Sequence, residues 1–265
     1  MSRRAGAISL RSTVFLVAAI SSGAWATAAL SANNDEGWSY AESKIFFKLK
    51  HNDGELGLLA EIEGDGWHRL SIDGPGKDRL LDIQINGRLK TQGLSELVIE
   101  TTGQSANEPP TKGMFGRFPQ GDYSIGGMTI EGKKLSSSST LSHVMPAPPG
   151  NLMVSGQRVP MDCDEGPIPM ASVPVTLSWD PVTRSHPKIG KSGAVEIREY
   201  ELEIERRRPT KQEIKVELTS ATTSFQIPSS FFANGSGETY KLKIGVIESS
   251  GNTTEFESCF QVKPS

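Results

Sequence analysis

The stretch Val173-Pro174-Val175-Thr176-Leu177-Ser178-Trp179, closed by Asp180-Pro181, constrains the chain more than any other. Apolar residues fall at every second position, the period of a strand with one buried face. The stretch ends on an aromatic side chain and a turn dipeptide. The same alternation returns downstream. Tyr200-Glu201-Leu202-Glu203-Ile204-Glu205 alternates apolar with acidic, and Ile214, Val216 and Leu218 repeat the period, as do Phe225 and Ile227. Tyr240, Leu242, Ile244 and Val246 follow, with Lys241 and Lys243 on the wet face, and then Phe256, Ser258, Phe260 and Val262. With a lead strand before Val173 this makes about seven strands, the number of an immunoglobulin-like sandwich.

The first half carries a looser version of the pattern. A strand is expected over Lys44–Lys50, a turn at His51-Asn52-Asp53-Gly54, and a strand through Leu56, Leu58, Ala60 and Ile62. Gly64-Asp65-Gly66 reads as a turn into Trp67–Ile72, and Gly74-Pro75-Gly76 as a break. Leu81, Ile83 and Ile85 then lead to Asn86-Gly87, a hairpin signal. A strand follows at Glu96–Glu100. Thr101–Gly113, with Pro109-Pro110, reads as a surface loop, and Ser136–Ser139 as a solvated piece. No stretch longer than two helical turns shows an apolar stripe, so this half is also read as all-β. Met145-Pro146-Ala147-Pro148-Pro149-Gly150-Asn151 favours extended backbone and reads as a spacer.

Residues 1–28 have the form of a signal peptide: Arg3, Arg4 and Arg11, the short apolar run Thr13–Ile20, then small residues at Ala26-Thr27-Ala28. A retained membrane anchor is the competing reading. No later stretch could span a bilayer. The expectation is an exported protein, periplasmic or extracellular. The formal charge is −3, and loss of three arginines with no acid would take it to −6. That balance argues against nucleic acid or anionic lipid as a partner. Cys163 and Cys259 are the only cysteines, and an even count in an oxidising compartment favours a disulfide. On its strand Cys259 has the parity of Glu257 and Gln261, which suits a bond to a neighbouring segment outside the phenylalanine face. Closing so long a loop stabilises by roughly 4–5 kcal/mol in chain-entropy terms.

Trp179 with Asp180-Pro181, Tyr200 in Glu199–Ile204, Tyr240 in Thr239–Ile244, and Gly251-Asn252 make residues 148–265 similar to a fibronectin type III domain. The resemblance implies that Trp179, Tyr200 and Tyr240 are core residues, and it implies no chemistry. Cys163 and the long loop Thr183–Ala194 depart from the family. Gly93–Leu97, Arg117–Tyr123 and Ser142–Pro149 make the whole chain resemble secreted bacterial fibronectin type III proteins of undescribed function. The expected layout is therefore two tandem β-sandwich domains after a signal peptide. These are an N-terminal sandwich over 33–145, a linker over 146–151 and a fibronectin type III-like domain over 152–265.

The chain shows neither a Gly-x-Ser-x-Gly elbow nor a phosphate-binding Gly-x-x-x-x-Gly-Lys motif, and no enzyme, cofactor or metal centre is expected. His51, Asp53, Glu55, Asp65 and His68 form the tightest polar cluster, which turn chemistry at Gly54 and Gly57 also explains. Arg206-Arg207-Arg208 with Lys211 is the only basic cluster, at a hairpin tip between acid-rich strands. It is either a solvated hairpin or a contact for an anionic glycan or headgroup. Trp67 has the phase of Arg69 and Ser71, opposite Leu70 and Ile72. It is either an exposed ring for a sugar or protein partner or a residue turned inward by a bulge. Trp38 is likewise unexplained by parity. Trp67, Arg206, Arg207, Arg208 and Lys211 are thus the candidate binding surface. The expected function is non-enzymatic binding or structural work at the cell envelope, with a protein or glycan partner. The alternative is a carbohydrate-binding accessory to a secreted hydrolytic system.

Overall fold

The computed structural model describes residues 38–39, 42–103, 110–164, 166–233 and 237–263. The leader expected over residues 1–28 lies outside the described residues. In chain order the strands of the first half are β1 (Trp38–Ser39), β2 (Glu42–Lys50), β3 (Glu55–Asp73), β4 (Arg79–Gln84), β5 (Leu94–Glu100), β6 (Gly121–Thr129) and β7 (Lys134–Leu141). The second half adds β8 (Gly150–Val154), β9 (Gln157–Arg158), β10 (Met170–Ala171), β11 (Val175–Asp180), β12 (Ile197–Arg206), β13 (Gln212–Thr219), β14 (Ser224–Ile227), β15 (Thr239–Glu248) and β16 (Thr253–Val262). Two short helices, α1 (Leu89–Gln92) and α2 (Pro110–Arg117), interrupt the first half. The fold is all-β sandwich.

Alternation builds the second core as the sequence requires. β8, β11 and β14 form one sheet with β9, and β12, β13, β15 and β16 belong to the other, which gives the seven strands of the sandwich. Val175, Leu177 and Trp179 from β11 meet Tyr200, Leu202 and Ile204 from β12 and Tyr240, Leu242, Ile244 and Val246 from β15. Val173 lies outside β11, beyond a cis bond to Pro174, and is exposed. Trp179 packs edge-on to Tyr200 at 5.4 Å, and the Tyr200 hydroxyl accepts a hydrogen bond from Val182 N–H. These residues are core, as the family resemblance implies.

The first core is organised by β3, a 19-residue strand. Gly64-Asp65-Gly66 does not turn the chain. It is a bulged kink, with register shifts on both sides of Trp67. β2 and β5 pair with the half before the kink, and β4 and β6 with the half after it. The two register shifts flip side-chain parity at Trp67 and restore it by Leu70, so Trp67 joins Leu56, Leu58, Ala60, Ile62, Leu70 and Ile72 in one core. Asn86-Gly87 leads into α1 instead of a hairpin, and β4 and β5 both pair with β3. Ser136–Ser139 lies inside β7, where the Ser139 hydroxyl accepts from Ile45 N–H. Part of the expected surface loop is α2. It buries Met114 and sets Phe115 edge-on to Phe47 at 5.0 Å.

The Pro-rich segment is not a solvated spacer. Met145, Pro146 and Pro149 are buried, Ala147 N–H donates to the Arg184 carbonyl, and β8 begins at Gly150. It packs because the long 182–196 loop folds back across it. His186 N–H donates to Met145 O, Lys191 N–H to His143 O, and Ile189 reaches the first core. At Gly190, φ is +79° and a Cβ would collide with the His143 carbonyl, so this approach requires glycine.

One sheet runs through both cores. β16 pairs in parallel with β2, Thr253 through Glu255 opposite Lys48 through Lys50. Asn252 extends this ladder at one end. Its Oδ1 accepts from Phe47 N–H at 2.7 Å, and its Nδ2 donates to the carbonyls of Ser142 and Val144 at 3.0 and 2.9 Å. Asn52 extends it at the other end. Its Oδ1 accepts from Glu257 N–H at 2.8 Å and its Nδ2 donates to Glu257 O at 2.9 Å. His51 N–H donates to Glu255 O between them. Asn252 is fully buried, so truncation leaves three backbone groups unsatisfied. We expect Asn252→Ala to cost about 2–4 kcal/mol in urea denaturation, and Asn86→Ala at an exposed site to cost much less.

Candidate functional site

The residues expected to carry contacts separate into buried and exposed sets. Trp67 is fully buried, turned inward by the bulge, so the exposed-ring reading gives way to the bulge reading. Arg206 is also buried, which corrects its placement in a surface basic cluster. It is the last residue of β12 and has the parity of Tyr200, Leu202 and Ile204, so its stem enters the sandwich opposite Tyr240. Its Nη2 donates to Gln212 Oε1 at 2.7 Å. Arg207 pairs with Glu205 at 3.0 Å and Lys211 with Glu213 at 3.1 Å, while Arg208 is exposed. The hairpin tip is therefore a small, partly neutralised basic patch of Arg207, Arg208 and Lys211. The Trp38 backbone pairs with Leu135, and its side chain lies outside the described residues.

Cys163 and Cys259 are bonded, with Cα atoms 5.8 Å apart. Cys259 points away from the phenylalanine face, as its parity requires, yet is buried because the 159–164 segment lies over it. The segment also contacts the first half, since Asn52 Nδ2 donates to Met161 O. A groove of about 480 Å³ runs beside the bond, lined by Asn52, Asp53, Asp162, Asp164, Lys241 and Glu257. Among the described residues no three His, Cys, Asp or Glu side chains are placed to hold a metal ion. The His51–His68 cluster is not assembled: His51 lies in the turn before β3, and His68 lies in the half of β3 beyond the kink.

His51 meets His186 instead, across the junction, with Nδ1 to Nε2 at 3.2 Å. His186 Nδ1 accepts from the N–H groups of Lys188 and Ile189, so its proton sits on Nε2 and is donated to His51. Burial, then the neighbouring His51 and Lys188, pushes the His186 pKa down to about 4. Burial and Lys188 also lower His51. His143, buried against Phe47 and Phe115, is lowered by burial and, less, by Lys191. Local sequence cannot pair these histidines, because 135 positions separate His51 from His186.

The outer face of the shared sheet carries charge in rows. Glu203 is reached by Lys243 at 3.3 Å and Lys215 at 3.4 Å, and Lys48 pairs with Glu255 at 2.9 Å across the β16–β2 seam. The lysines hold the Glu203 carboxyl below its usual range even though burial opposes them. A groove of about 250 Å³ crosses the seam over Phe46 and Leu59, flanked by Lys44, Arg198, Glu201 and Glu217.

No protein family and no curated protein matches the sequence. Among solved structures, the chain is similar to the FN1-FN3 domains of chicken CNTN1, at 9% identity, 84% coverage of this chain, 67% of that one and a TM-score of 0.33. It is also similar to a bacterial ice-binding adhesin of 1.5 MDa, at 11% identity, 86% and 67% coverage and a TM-score of 0.24.

Neutral in the folded state, the junction histidines bind fewer protons than in the unfolded chain. The contribution of His186 is full above about pH 6.5 and is lost as pH falls towards about 4. Urea stability should therefore drop by up to about 3 kcal/mol over that window. The drop should shrink in His186→Asn; an unchanged pH profile in that variant would contradict the assignment.

Proposed function

We propose that this is an exported, non-enzymatic binding or structural protein that acts at the cell envelope through the loops and edges of its sandwich. The observation that carries the reading is the joined junction: a continuous sheet, two bridging asparagines and a folded-back loop hold both cores as one presenting surface. A disulfide persists in oxidising compartments, which supports export. Among the described residues no helix is long and apolar enough to cross a membrane. Sandwich loops and edges can recognise a partner without catalytic groups.

Protein is the partner class this surface suits. A glycan role routed through Trp67 has no exposed ring to use, because the bulge buries it. The exposed hairpin tip, Arg207 and Arg208, is the proposed contact for an acidic region of the partner. Immobilised full-length protein exposed to solubilised envelope should retain a specific protein, and Arg207→Ala/Arg208→Ala should reduce its capture severalfold. Retention of nothing beyond a control sandwich would overturn the reading. Equal capture by the variant would remove the tip as the contact.

A further inference from the structure

The shared sheet ends at β13, and among the described residues no strand pairs with its outer edge. An eight-residue edge with free backbone groups is a template for another strand unless something blunts it. Most other edges here are short: β1 and β9 have two residues each and β14 has four. β5 is longer, but its exposed row is Glu96, Val98 and Glu100, with Glu96 opposite Glu63 of β3, so pairing it with its own copy about Val98 would set acid against acid.

β13 has the opposite character. Its exposed side-chain row reads Lys211, Glu213, Lys215, Glu217, alternating in sign. Reversed on itself, such a row is its own complement. Antiparallel pairing about a two-fold axis at Ile214 sets Lys211 opposite the partner's Glu217 and Glu213 opposite the partner's Lys215, with the reciprocal pairs completing four contacts. The other face carries Ile214, Val216 and Leu218, half-buried at the rim of the second core. The same register brings Ile214 against the partner's Ile214 and Val216 against the partner's Gln212, covering that rim.

We propose that β13 is a homotypic docking edge through which two copies of this chain join their sheets. Such a contact is small, so the association is weak and rises with concentration. It rests on the open edge and its alternating charge row, and is independent of the export reading and of any envelope partner.

Sedimentation equilibrium of the full chain tests it. The wild type should show a concentration-dependent dimer that weakens with added salt. Lys215→Glu should weaken dimerisation by about tenfold or more, because two cross-strand pairs become repulsive. The double reversal Glu213→Lys/Lys215→Glu restores opposite charges in this register and should bring the dimer back. Circular dichroism of each variant confirms that the sandwich is intact. A wild type still monomeric at about 1 mM, a dimer indifferent to Lys215→Glu, or a double reversal without rescue would each overturn the proposal.

Discussion

The parallel seam between β16 and β2 is the interaction on which the rest of the molecule depends. Three residues from each strand are paired directly, a short run for a parallel ladder. Two asparagines lengthen it with side-chain amides, which offer the same donor and acceptor as a peptide unit. Asn252 serves the backbone of β2 and of the 142–144 segment, and Asn52 serves β16. Each core would otherwise end at an unpaired edge there. The seam satisfies both edges at once and turns two sandwiches into one surface.

Other features of the junction follow from it. The 182–196 loop can cross the Pro-rich segment only because the seam fixes the two cores side by side. The disulfide then holds the 159–164 segment over Asn52 and Cys259. Rows of charge line up over the seam, with Lys48 reaching Glu255 from one half to the other. None of these contacts needs a large apolar interface, since hydrogen bonds along a continuous sheet supply the registration.

The second core was legible in the sequence almost residue by residue, because each strand has one buried face and period-two alternation reports that face. Tyr200, Tyr240 and Trp179 fell where the fibronectin type III resemblance implies, and the parity of Cys259 anticipated a bond outside the apolar face. The first core was legible in part. The bulge at Gly64-Asp65-Gly66 uses the same glycine-rich chemistry as a turn, so sequence could not tell a kinked long strand from two short ones. Arg206 was hidden by its neighbours: three arginines in a row read as surface, although strand parity alone points its stem inward. The junction was illegible for a simpler reason. An asparagine in a turn has the same local signature whether its amide faces water or a strand 205 residues away.

A binding role fits a molecule whose organisation is spent on rigidity. The tip of the β12–β13 hairpin and the outer edge of β13 remain open at the far end of the shared sheet, while the seam occupies its middle. Differential scanning calorimetry of the disulfide-intact chain tests the central claim most directly. If the seam makes the two cores one cooperative unit, they unfold in a single transition whose calorimetric and van't Hoff enthalpies agree. Two separable transitions, one for each core, would contradict the account.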